Sequence, residues 1–147
     1  MAKFKYKFDS IKKVKNALEK KAKKEVAVIE LEIEKMNNKK KEIIEELNRS
    51  RSKQVSGTVK ISEMQADKNY QSALEEQIKM VDREIAKLEE EKEKKLEELI
   101  QKSKEHKMFE TLEDIHRENY NIAENRSEMK NYDEIATQKF VRKNNER

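Results

Sequence analysis

One short break decides what this chain can fold into. The stretch Arg51-Ser52-Lys53-Gln54-Val55-Ser56-Gly57-Thr58-Val59-Lys60-Ile61-Ser62 holds the only glycine, Gly57, in a sequence without proline. Glycine enters the left-handed region without a Cβ penalty, so it can stop a helix that other residues would continue. Val55, Thr58, Val59 and Ile61 are β-branched and lose side-chain freedom in an exposed helix. Ser62-Glu63-Met64-Gln65 then fits a capping box, with Ser62 as N-cap. The expectation is a helix from about Asp9 to Arg51, a turn over about 52–61, and a second helix from about Ser62 to Val141 followed by a fraying charged tail. One break between two helical runs makes a hairpin.

Composition narrows the class. Charged residues make up 45% of the 147 residues, hydrophobic ones 34% and aromatics 5%, too little apolar surface for a thick core. Coiled coil, isolated charged helix and disorder remain, and the apolar spacing selects the first. On the first helix, Ile11, Leu18, Ala22, Val26, Ile29, Ile33, Met36, Ile43 and Leu47 recur at threes and fours, with Lys15 and Lys40 filling two places and a stutter between Ala22 and Val26. On the second, Met64, Tyr70, Leu74, Ile78, Val81, Ile85 and Leu88 lead to a further stutter at Lys92, then Leu96 and Leu99. Pairs such as Glu91–Lys95 add only a few tenths of a kcal/mol each, so the seam must hold the hairpin. The fold expected is all-α: an antiparallel two-helix coiled-coil hairpin, one rod over residues 1–147, with the second helix longer than the first.

Length makes the remainder informative. The first helix would span roughly 65 Å and the second roughly 120 Å at the α-helical rise. Folding at Gly57 brings Phe8 near Lys107, and residues beyond about Glu110 are left without an intramolecular partner. Their stripe continues as Met108, Leu112, Ile115, Ile122, Met129, Ala136 and Phe140, with polar Asn119, Arg126 and Asp133 at alternate places. A helix with an uncovered stripe is a docking surface.

The N-terminal end is basic: ten lysines lie between Lys3 and Lys24, against Asp9 and Glu19. Phe4, Tyr6 and Phe8 alternate with Lys3, Lys5 and Lys7, which suggests an extended lead-in with Asp9 or Ser10 as N-cap, although a helix reaching back to Lys3 also fits. The block Lys12-Lys13-Val14-Lys15 with Lys20, Lys21, Lys23 and Lys24 reads either as a solvated face or as a contact for an acidic protein surface. DNA binding is disfavoured, because a basic zipper region would carry arginine and asparagine ahead of a parallel coiled coil. Tyr70 reads either as a seam residue or as an exposed aromatic anchor near the turn.

Nothing in the chain points to catalysis. There is no phosphate-binding glycine loop and no cysteine. His106 and His116, ten residues apart, are expected on opposite sides of a helix, as solvated or seam-lining residues and not as a metal pair. No enzyme activity, cofactor, metal or small-molecule substrate is expected. Neither a signal peptide nor a membrane span is read from the sequence.

Three blocks together resemble the flagellar FliJ family. The first is Phe4-Lys5-Tyr6-Lys7-Phe8 with the lysine-rich helix after it. The second is Ser56-Gly57, then Ile61 and Tyr70-Gln71. The third, the most specific, contains Phe109 to Arg117 and then Glu124 to Ala136, in which Glu128, Lys130, Asp133, Glu134 and Ala136 match an E-x-K-x-x-D-E-x-A pattern. The resemblance implies a stalk of the flagellar type III export apparatus, cytoplasmic and peripheral at the membrane face. It implies that such a stalk inserts into the ring of the export ATPase FliI, contacts the export-gate protein FlhA and cycles export chaperones. On that reading the partner contacts would include Lys20, Lys21, Lys23 and Lys24, the tip residues Tyr70, Leu74 and Ile78, and Leu112, Ile115, Ile122, Arg126, Met129, Lys130, Asp133 and Glu134. The rival readings are a structural homodimeric coiled coil and the equivalent stalk of a virulence-type secretion system.

Overall fold

The computed structural model describes residues 2–54 and 60–147. Helix α1 runs Asp9–Gln54 and helix α2 Ile61–Asn145, 46 and 85 residues long. They pack against each other as a hairpin, the second helix being the longer. The expected turn at Gly57, with Val55, Ser56, Thr58 and Val59, lies outside the described residues. No strand occurs among the described residues.

The helix caps differ from expectation. The Lys12 N–H donates to the Phe8 carbonyl at 2.9 Å, so α1 opens on Phe8 and neither Asp9 nor Ser10 is its cap. Asp9 lies in the first turn instead, where its charge complements the helix dipole. Likewise the Met64 N–H donates to the Lys60 carbonyl at 3.0 Å. That puts Ser62 inside the first turn of α2 and displaces the capping box centred on it.

The chain divides into two compact units. Unit 1 combines residues 1–18 with 102–147, and unit 2 is residues 19–101. In unit 2, Ile43, Leu47, Leu74 and Val81 form the hydrophobic cluster, with Met36, Ile78 and Ile85 packed against it. The pairing is antiparallel: Glu25 meets Lys95, Glu30 meets Lys92, Lys40 meets Asp82, and Tyr70 donates to Glu46. Each step forward on α1 is a step back on α2.

Neither stutter is present. A continuous row of covered residues follows α1 through Lys12, Lys15, Glu19, Ala22, Val26, Ile29, Ile33, Met36, Lys40, Ile43, Leu47 and Ser50, alternating threes and fours without a slip. Glu19, only 8% exposed, holds the place between Lys15 and Ala22, while Ile11 lies in solvent. Leu18, half-buried, stands beside the seam. On α2 the alternation continues through Leu88, Lys92, Lys95 and Leu99. Long charged side chains hold these places because their aliphatic stems cover the seam while their charged ends reach outward. Lys95 reaches both Glu25 and Glu98 at 3.4 Å. A count of apolar letters alone skips such positions and reports a stutter.

Candidate functional site

Unit 1 is built from the N-terminal segment and the distal half of α2. Phe4, Tyr6 and Phe8 are covered while Lys3, Lys5 and Lys7 are exposed, so the alternation marks a non-helical lead-in. The three rings close on α2. Phe4 lies 5.5 Å from the Tyr120 ring and carries the Arg117 guanidinium at the same distance. Tyr6 donates from its hydroxyl to the Phe109 carbonyl at 2.9 Å and meets His116 edge-on at 5.7 Å. Phe8 touches His116 at 6.0 Å and Phe109 at 6.4 Å. Tilted and edge-on rings at these separations add to the area they bury. The Tyr120 hydroxyl bonds the Ala2 carbonyl and lies 3.0 Å from a Glu124 carboxylate oxygen. Below this cluster, Lys12 pairs with Glu113, and Lys15 with Glu105 at 2.9 Å.

This aromatic clasp changes two expectations. Contact between the lead-in and α2 extends past Glu110 to Tyr120, because the lead-in adds reach beyond the start of α1. His106 and His116 also share one face, the covered seam Lys102, His106, Phe109, Glu113, His116 and Tyr120, because ten residues is a three, a four and a three. They are half-buried lining residues, about 15 Å apart along the helix. Among the described residues no group of three or more His, Cys, Asp or Glu could hold a metal. The partners of the clasp on α2 were legible in principle: carrying the unslipped alternation past Leu99 reaches Phe109, His116 and Tyr120.

The expected apolar stripe is a second, separate face. It runs one residue ahead of the covered seam, a rotation of about 100° around the helix. Met108, Ile115, Ile122, Met129 and Phe140 are exposed, the last two at 66% each. Leu112 is half-buried, and with Lys104, Lys107, Met108, Thr111 and Ile115 it lines a shallow groove. Arg126 and Asp133 stand on the stripe, and Lys130 and Glu134 beside it, all exposed. From Asn125 to Arg147 every residue is exposed, and α2 runs to Asn145.

Lys20, Lys21, Lys23 and Lys24 are exposed, with Lys23 3.4 Å from Glu19. Lys12 and Lys15 are committed to the ion pairs of unit 1. Early in α2, Tyr70 is 46% exposed and bonds Glu46 at 3.1 Å. Leu74 and Ile78 face α1 in the core, so any part they take in docking is to hold the helix that carries Tyr70.

The protonation of the clasp is one-directional. Burial raises the Tyr6 hydroxyl above its ordinary 10.0, and burial followed by the Glu124 bond does the same for Tyr120. The bond to Glu113 raises Lys12 above 10.5. A group whose folded value is raised lends its stabilisation in full below its ordinary value and loses it as pH climbs through the folded one. Unit 1 should therefore loosen above about pH 10. Tyrosine near-ultraviolet circular dichroism from pH 8 to 11 checks this, and Tyr6→Phe should remove part of the alkaline change.

The family model described as the flagellar FliJ protein matches residues 4–145, from the first ring of the clasp to the last residue of α2. The chain belongs to the FliJ family. A search of curated proteins and one of solved structures gave no match. Membership makes this a coiled-coil protein associated with flagellar export, from a family of non-enzymatic stalk proteins. In FliJ-family terms, both the clasp and the exposed stripe fall inside the matched region. No described helix is long and apolar enough to cross a membrane.

Proposed function

We propose that this FliJ-family chain is the stalk of a flagellar export ATPase: it binds the FliI ring, promotes its assembly, links it to the export gate through FlhA, and cycles export chaperones. The observation that carries this reading is the exposed, heptad-spaced face on α2 from Met108 to Phe140. A helix keeps such a face at a cost in solubility, which a docking partner would offset. Leu112, Ile115, Ile122 and Met129 supply the apolar contacts, with Arg126, Lys130, Asp133 and Glu134 setting register. Lys20, Lys21, Lys23 and Lys24 supply a cationic face for an acidic ring surface. Tyr70 is the anchor offered to the gate. The protein then works on the cytoplasmic side, held to membrane machinery through protein contacts. The family match favours the flagellar machine over a virulence-type one.

The test is a pull-down of the full chain against the cognate export ATPase, with ATP hydrolysis and ring formation read in the same samples. Binding with stimulated hydrolysis is expected. Charge reversal at Lys20, Lys21, Lys23 and Lys24 should weaken binding and flatten its salt dependence. Absence of binding from low to moderate salt would overturn the reading.

A further inference from the structure

The exposed stripe of α2 also carries a prediction about the chain on its own. Leu112, Asn119, Arg126, Asp133 and Phe140 alternate with Met108, Ile115, Ile122, Met129 and Ala136 at threes and fours, a complete coiled-coil face. We propose that in the absence of other partners this face is covered by a second copy of the chain, running antiparallel.

Charge decides for a second copy and for the direction. Residues 110–120 carry Glu110, Asp114 and Glu118 against Arg117, with Glu113 already paired to Lys12 on the clasp face, whereas residues 135–145 carry Lys139, Arg142 and Lys143 and no carboxylate. The helix is thus acidic at one end of the stripe and basic at the other. Antiparallel pairing centred between Arg126 and Met129 lays each acidic end on the other copy's basic end. Parallel pairing in register would set Arg126 on Arg126, Asp133 on Asp133 and Asn119 on Asn119, two of them like charges in the seam.

In the antiparallel arrangement every polar seam residue faces an apolar one: Asn119 faces Ala136, Arg126 faces Met129 and Asp133 faces Ile122. Ile115 and Phe140 form the apolar layer at each end. Glu118 and Lys139 flank the seam and pair across it, once at each end. The clasp occupies a different face of α2, turned by about 100°, so it stays intact in the dimer.

Sedimentation equilibrium on the full chain tests this. A reversible dimer is expected, twice the chain's 17.6 kDa. The double substitution Ile122→Glu with Met129→Glu should raise the dissociation constant on the order of 100-fold, by placing carboxylates in the seam. Both residues are exposed in the hairpin, so helicity by circular dichroism should not change. Glu118→Lys and Lys139→Glu should each weaken the dimer about three- to tenfold, and combining them should restore it. A chain that stays monomeric up to about 100 µM overturns the proposal. So does a dimer indifferent to the Ile122 and Met129 substitutions. A charge swap without recovery overturns the antiparallel register. The assay contains no ATPase, so its failure leaves the stalk reading standing, and protection of the stripe only when ATPase is added would assign the face to that partner instead.

Discussion

Replacing Leu74 by alanine is expected to destabilise the hairpin by roughly 2–4 kcal/mol. Leu74 is 6% exposed and sits in the cluster with Ile43, Leu47 and Val81, to which Ile78 and Ile85 add a half-covered flank. Two helices cannot surround a residue completely, so each well-covered side chain carries a large share of the apolar contact. Alanine would leave Ile43 and Leu47 without the branched methyls that cover them, and straight helices close such a gap only in part. The readout is thermal unfolding followed at 222 nm, compared with an exposed control such as Met80→Ala. Met80 is exposed, and its change should cost about 0.5 kcal/mol or less. Equal effects at the two positions would mean that the cluster is not what holds unit 2 together.

Truncating the clasp should have the second-largest effect, and a local one. Tyr6→Ala removes a nearly buried ring, its contacts with Phe8 and His116, and the bond to the Phe109 carbonyl. The expected cost is about 3 kcal/mol in the opening of unit 1, which speeds exchange of the α2 amides over residues 109–120 by about 100-fold. Exchange in the cluster of unit 2 should stay unchanged. Tyr6→Phe isolates the hydroxyl and should cost about 1 kcal/mol. Exchange that rises equally along all of α2 would assign the clasp a role in the whole hairpin.

The architecture was open to reading because it rests on few signals. One glycine among helical residues, an apolar stripe at threes and fours, and two runs of unequal length suffice for a hairpin with a longer second helix. The alternation of Phe4, Tyr6 and Phe8 fits a non-helical segment with one covered side, although a helix back to Lys3 fits the same letters. What escaped was the seam wherever it is polar. Lys12 and Lys95 are covered while their charges find partners across the seam, and Glu19 is covered while its carboxylate meets Lys23 on its own helix, three-dimensional facts that hydropathy does not encode. Skipping them produced two false stutters. It also merged the face that meets the clasp with the face that meets solvent, since the two run side by side from about Met108. Tyr120 escapes for the same reason: it belongs to the quieter of two parallel stripes.

The clasp also settles a question of alignment within unit 1. A helix surface made of lysine and glutamate offers many equivalent ion pairs, and two such surfaces can slide by a heptad at little cost. Rings cannot. A seven-residue slip would carry Phe4 from Tyr120 to Glu113 or Ser127, neither of which has a ring to meet it. The aromatic segment is thus a length standard: it fixes how far the N-terminal segment of unit 1 reaches along α2, and with it how many turns of that helix remain free beyond Glu124.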